Sequence, residues 1–247
     1  SRRTDAAGDG SGSESGGGDS VGSSAGGRTG VLRRLTEEKL EEILEAGIAE
    51  FGEQGLERTS MSRIAARAGT SVGVLYKYYK DKDDFFLACV RKSLRELDEA
   101  LSETICREEK LRQYAERLIE ALQRHCREHP SHIRMYHELT SAGAGRFGTL
   151  LAQEIEGVSS RLYSRMLEQA QREGNMRRDA DPKLFAFFFD NLLMMLQFSC
   201  CCGYYRERFR LYCGSDPEAS EEHIRQELLK FLESAFTLEE TEISHQG

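Results

Sequence analysis

The chain has 247 residues, room for one large or two modest domains, and sets 42 acidic against 34 basic side chains for a formal net charge of −8 at pH 7. That balance argues against unspecific nucleic-acid affinity, and the polar, glycine- and serine-rich amino terminus offers no apolar core for a secretory signal, so a cytoplasmic setting is expected. Three prolines, many Leu, Ala, Glu and Arg residues, and no alternating strand pattern or hairpin dipeptide predict an all-α fold.

Residues 1–30 are rich in Gly, Ser and Asp with almost no aliphatic side chains. Burial there cannot offset the entropy of ordering, so a disordered tail is expected. Arg2, Arg3, Arg28, Arg33 and Arg34 are candidates for an arm that touches DNA. Residues 36–53 read as a first helix with Leu40, Ile43, Leu44, Gly47, Ile48 and Phe51 facing inward.

Residues 61–80 read as two short helices meeting at Gly69. Met61, Ile64, Ala65 and Ala68 lie three or four apart and form one apolar stripe, with Ser60 placed to cap its start. Glycine at 69 takes the left-handed conformation that ends a helix at little steric cost. Ser71 offers a second cap, and Leu75 and Tyr79 give the next helix a buried side. This is what a helix-turn-helix needs if its second helix is to enter a DNA major groove. Charge points to the same place: residues 58–82 hold Arg58, Arg63, Arg67, Lys77, Lys80 and Lys82 against Asp81 alone, so this window is +5 and the remainder −13. If the patch serves DNA, Lys77, Lys80 and Lys82 must share a face with Tyr76 and Tyr78.

Residues 40–90 resemble the DNA-binding domain of the TetR family of bacterial transcription regulators. The resemblance rests on Ile43 to Phe51, Gly55, Thr59, Ile64-Ala65, Ala68-Gly69, the run Ser71-Val72-Gly73-Val74-Leu75-Tyr76-Lys77-Tyr78-Tyr79, and Lys82 with Phe85-Phe86. Departures are small: Thr70 replaces an aliphatic residue, Tyr78 a common histidine and Tyr79 a common phenylalanine. The resemblance implies a three-helix helix-turn-helix domain followed by a larger helical domain for ligand binding and dimerisation. It also implies phosphate clamps at Ser60, Tyr76, Tyr78 and Lys82. Arg63 and Ser71 complete the candidate DNA-facing set. Base contacts are expected from Val72, Gly73 and Val74, the two valines meeting apolar edges such as thymine methyls, with Lys77 reaching a guanine or a phosphate.

Further helices are expected over residues 82–105, 108–128, 131–140, 148–173, 182–205 and 220–236, with a flexible loop at 140–145 and irregular chain over 206–220. The apolar stretch 185–205 has the length of a membrane span, but Asp190, Asn191 and Gln197 interrupt it, so a buried helix that also meets a partner is expected. In the resembled family the last two helices form a four-helix dimer contact, which places a homodimer interface on residues 183–205 and 221–236. The domain reading is a tail over 1–30, a DNA-binding domain over 31–82, an effector and dimerisation domain over 83–238 and an acidic tail over 239–247. Tyr136, Phe147, Phe188 and Met195 are candidates to line an effector cavity.

Seven cysteines include Cys89, Cys106 and Cys126 singly on helices and the run Cys200-Cys201-Cys202. A helix turns these three in different directions, so they make no common metal face, although one from each subunit can meet across a dimer axis. His125 and His129 are four apart on one helix, with His132 and His137 beyond Pro130. A thiol or metal sensor with no DNA role is therefore the alternative to a ligand-responsive repressor of double-stranded operator DNA. No phosphate-binding glycine loop, nucleophile elbow or His-Glu-x-x-His motif is present, and Gly8, Gly10 and Gly12 follow no strand. No catalytic residue, metal ligand or cofactor is assigned.

Overall fold

A computed structural model of the chain describes residues 35–104, 110–141 and 147–237. The expected tail at 1–30, the arginine arm at Arg33 and Arg34, most of the loop at 140–145, Cys106 and the acidic tail at 239–247 lie outside the described residues.

Among the described residues the regular structure is helical: α1 Glu37–Arg58, α2 Met61–Arg67, α3 Val72–Tyr78, α4 Lys82–Ser102, α5 Leu111–Glu128, α6 Pro130–Ser141, α7 Gly148–Arg172, α8 Pro182–Cys201, α9 Gly203–Cys213 and α10 Glu221–Phe236. Local chemistry sets the starts. The hydroxyl of Thr36 accepts from the Lys39 amide at 3.2 Å, and the carboxylates of Asp81 and Asp181 accept from the first-turn amides of α4 and α8. Acidic residues follow in the first turns of α1, α4 and α10, where they meet the positive end of the helix dipole.

Three expectations need correction. The first helix does not stop at residue 53. It continues to Arg58, interrupted at Gly55, whose φ of 75° and ψ of 165° are non-helical. The expected helix over 182–205 breaks at Cys202, which is extended, and Gly203 begins a new helix. Residues 206–213, expected to be irregular, belong to that helix, which buries none of its side chains although Tyr205, Phe209 and Tyr212 lie four and three apart. Ion pairs of Arg206 with Glu218 and of Arg210 with Asp216 hold it to the segment 216–220, and Arg210 also pairs with Glu207 within the helix.

Among the described residues, two apolar clusters support the helices that follow α3. The larger joins Leu118 and Ile119 of α5, Tyr163 and Leu167 of α7, Phe189 and Leu193 of α8, and Leu229 and Phe236 of α10. The smaller packs Cys126 and Ile133 against Phe198 and the cysteine run. All three cysteines of the run are buried and free, and the Cys201 thiol faces the Cys126 carbonyl at 3.7 Å.

Helix α8 is long and apolar enough to cross a membrane by length and composition alone. Its Ala186, Phe189, Leu193 and Phe198 pack inward, while Leu184, Phe187 and Phe188 stand 53%, 62% and 55% exposed, beside Phe231 of α10. A row of exposed phenylalanines on two adjacent helices is an apolar patch of the kind that marks a contact surface.

Candidate nucleic-acid interface and interior cavity

Helix α2 packs on α1 and α3 on α2, with Met61, Ile64, Ala65 and Leu75 buried between them. The turn is set by Gly69 at φ 62° and closed by the Thr70 amide donating to the Ala65 carbonyl at 2.9 Å. A side chain at 69 would be strained in that conformation. The hydroxyls of Ser60 and Ser71 each accept from the amide three residues on, both at 3.3 Å. Lys39 ties the turn back to α1 by donating to the Ala68 carbonyl at 3.0 Å.

The outer side of α3 presents Val72, Gly73, Tyr76 and Lys77, with Val72 at 37% and Tyr76 at 54% exposure. Lys80 is exposed just beyond, and Val74 and Tyr78 are half-buried. Tyr79 turns inward, its ring 4.8 Å from that of Phe85 in an edge-on contact. This surface has the composition the sequence led us to expect, but the charges behind it do not. Arg63 pairs with the buried Glu50 at 2.5 Å, and Arg67 makes a bidentate pair with Glu53 while also reaching Glu50. These two arginines fasten α2 to α1, so the net +5 of the window is not all presented outward. Glu50 and Glu53 lie outside that window, so a local charge count could not see them.

Lys82 also departs from the expected clamp. Its ammonium donates to the carbonyls of Leu56, Glu57 and Thr59 at 2.8, 3.4 and 3.1 Å. All three of its donors are engaged with the end of α1, so it does not share the outer face with Tyr76 and Lys77. Orphan carbonyls at a helix end are a natural site for a cation.

Behind this region a narrow cavity of about 80 Å³ lies among α4, α5, α6, α7 and α8. Its walls are mostly apolar, including Leu97, Leu122, Met135, Leu193 and Met194. Among the described residues its ionisable lining combines the acids Asp98, Glu156 and Asp190 with His125, His132, Tyr136 and Tyr163, and includes no Lys or Arg. Tyr136 donates to Glu156 at 2.7 Å. Burial, then the nearby Glu156, pushes the Asp190 carboxyl up to about 6, and burial, then the neighbouring His129 and His132, takes His125 down to about 4.

Of the four cavity candidates, Tyr136 lines this space and three do not. Phe147 lies with its ring 5.6 Å from that of Phe86. Phe188 and Met195 line the outer groove with Leu192 and Phe231. They are seven apart and share one face of α8, which points outward; Asp190, Leu193, Met194 and Gln197 form the inward stripe. The interruption of the apolar run at Asp190 was the available mark of the cavity, and sequence reasoning used it only against a membrane span.

Residues 43–89 match the family model described as bacterial regulatory proteins, tetR family. The chain is 27% identical over 148 residues to the HTH-type transcriptional regulator HbdR of Aromatoleum sp. (strain CIB), a match covering 58% of this chain and 62% of that protein. The chain thus spans less than two thirds of that relative's length. Among solved structures, a TetR family transcription regulator from Marinobacter aquaeolei VT8 superposes with a TM-score of 0.56 at 25% identity, covering 66% of this chain and 83% of its own. The transcriptional regulator FadR from Bacillus subtilis, solved in complex with stearoyl-CoA, shares the fold with a TM-score of 0.63 at 16% identity, covering 80% of this chain and 100% of that chain.

The placement of Lys82 has a direct consequence. Replacing Lys82 with Met should lower unfolding free energy by about 2 kcal/mol, because carbonyls at the end of α1 lose a charged donor. The slope of log binding constant against log salt should stay at the parental value, since no phosphate contact is removed. A slope shallower by about one unit per subunit would return Lys82 to the phosphate backbone.

Proposed function

We propose that this chain, a member of the TetR family of bacterial regulatory proteins, is a homodimeric, ligand-responsive regulator of transcription that binds operator DNA through α2 and α3. The observation that carries this reading is the exposed outer side of α3, where Val72, Gly73, Tyr76 and Lys77 stand clear of a buried Leu75 on a pair of helices fixed by two serine caps. Tyr76 and Lys77 suit phosphate contact and Val72 an apolar base edge. Ser60, Ser71, Val74 and Tyr78 support or flank that side, and Arg63 acts through Glu50 to place it.

The half-site partner is a second copy of the chain. The exposed phenylalanines of α8 and α10 supply the contact expected on residues 183–205 and 221–236, and a two-fold axis there sets two α3 helices about one DNA turn apart, roughly 34 to 36 Å, or a small multiple of it.

The effector site is the acidic cavity. Its present volume is far below the roughly 300 Å³ that a drug-sized ligand needs, so occupancy has to spread the walls. Helix α4 supplies Val90, Leu94, Leu97 and Leu101 to that wall, and it begins only three residues after α3 ends. Displacing α4 therefore moves α3, and the ligand shifts the balance of the two arrangements by its differential affinity for them. The lining favours an apolar molecule with a positive or strongly donating group, facing Glu156 and Asp190. An anionic acyl thioester of the kind held by the B. subtilis FadR meets no lysine or arginine there.

Three outcomes test the reading. Binding-site selection with the Val72→Arg variant should return a consensus that gains a guanine at one position of each half-site; an unchanged consensus would remove Val72 from the base-reading surface. Sedimentation should give a dimer at micromolar concentration for the parent and a monomer with much weaker operator binding for Phe187→Glu, a change on an exposed side chain that leaves the core intact. Benzyltrimethylammonium, an apolar cation, should bind by calorimetry and weaken operator binding. Because Asp190 is neutral below about 6 and charged above it, affinity should rise roughly 10-fold from about pH 5 to about pH 7, and Asp190→Asn should abolish the rise. Affinity independent of pH would show that the acids do not face the ligand.

A further inference from the structure

The junction of α1, α4, α5 and α6 holds a group of side chains, Glu96, His129 and His132, of which only His132 also borders the cavity. Glu96 of α4, His129 at the end of α5 and His132 of α6 bring one ligand atom each within 4.8 Å of one another. The Glu96 Oε2 atom lies 3.5 Å from His132 Nδ1 and 3.9 Å from His129 Nδ1. It is buried and has no hydrogen-bond partner, whereas the other oxygen of the same carboxylate is bound by Lys92.

Proton placement makes this arrangement unusual. His132 Nε2 faces Glu45 Oε2 at 3.2 Å, and a carboxylate only accepts, so Nε2 carries the hydrogen. In the neutral ring Nδ1 is then a bare lone pair. It accepts from the Ser93 hydroxyl at 2.8 Å and points the same way as the unpartnered Glu96 oxygen. Glu96 Oε2 and His132 Nδ1 lie 3.5 Å apart, the Ser93 hydroxyl that holds the Nδ1 lone pair can rotate away to release it to an ion, and His129 Nδ1 offers a third ligand atom. The Glu45–His132 contact is also the outer-shell arrangement that orients a metal-bound imidazole and raises its basicity.

Charge fits the same conclusion. Lys92 is surrounded by Glu41, Glu45 and Glu96, and three carboxylates against one ammonium leave two negative charges at this junction. A dication neutralises them.

We propose that Glu96, His129 and His132 form a binding site for a divalent transition metal of the zinc class, with Glu45 orienting His132 from behind. Two imidazoles and one carboxylate suit zinc, nickel or cobalt over magnesium or calcium. Zinc bonds of about 2.0 to 2.2 Å need donors about 3.3 Å apart, so the separations of 3.5 and 3.9 Å from Glu96 Oε2 shorten by a few tenths of an ångström on binding. His129 is 39% exposed and gives the ion its way in. The bound ion cross-links α4 to the α5–α6 turn and, through Glu45, to α1, which carries the DNA-reading helices.

The test uses the full chain, stripped with a chelator and titrated with zinc chloride by calorimetry, and with cobalt by visible absorption. The expected result is one zinc per chain and a cobalt spectrum without a thiolate charge-transfer band. His129→Ala and Glu96→Gln should each weaken binding by roughly 100-fold or more, and Glu45→Gln by roughly 10-fold. His129 is exposed enough for its variant to fold, which unchanged circular dichroism verifies. Absence of zinc binding by the parent would overturn the proposal. So would binding that survives His129→Ala and Glu96→Gln, or binding that is lost in Cys201→Ser with a thiolate band in the cobalt spectrum.

Discussion

The aromatic contact between α1 and α4 is the constraint on which the rest of the structure depends. Phe51, Phe85 and Phe86 are each almost wholly buried, and the rings of Phe51 and Phe86 meet edge-on with centroids 4.8 Å apart. Phe85 in turn meets Tyr79, the residue that ends α3. A buried aromatic cluster repacks in discrete steps and does not deform smoothly. The start of α4 is thereby packed against both α1 and the end of α3, and Lys82 adds a charged tie from α4 to the end of α1. A force applied along α4 is delivered to α3 with little lost in between.

The other end of α4 faces a different chemistry. Its middle turns meet the acidic cavity on one side and, through Lys92 and Glu96, the polar junction with α1 and the histidines on another. The same helix thus borders α1 and the end of α3, the proposed effector site and the proposed metal site. That geometry gives a physical route for coupling: a ligand spreads the wall formed by α4, and an ion at Glu96 resists or biases the same displacement. Whether the two act together or in opposition depends on which arrangement of α4 each of them favours.

Acidic side chains do much of the organising. Glu50 and Glu53 convert two arginines of the helix-turn-helix from surface charge into fasteners, Glu45 fixes the tautomer of His132, and Glu156 with Asp190 sets the sign of the cavity. The overall charge of −8 is therefore not spread evenly as solubilising surface. Part of it is spent inside the molecule, where each carboxylate has an identifiable partner or task.

What the sequence determined by itself was local. Helical periodicity, the serine caps, the Gly69 turn and the run from Val72 to Tyr79 are encoded within a few residues of one another, so the helix-turn-helix and the all-helical class were legible, and the family match at residues 43–89 agrees with them. The helix boundaries that failed did so at Cys202, which is extended, and over α9, which buries none of its side chains. Side-chain roles were decided by residues distant in sequence. Lys82 meets carbonyls 23 to 26 positions earlier, Arg63 meets Glu50, and Phe188 and Met195 face outward because α8 presents Asp190 and Leu193 to the interior. His129 and His132 straddle a proline that ends the predictable geometry of α5, and only packing against α4 and α1 brings Glu96 and Glu45 to them. Spacing along the chain fixes which helix face a residue occupies, but tertiary packing alone decides what that face meets.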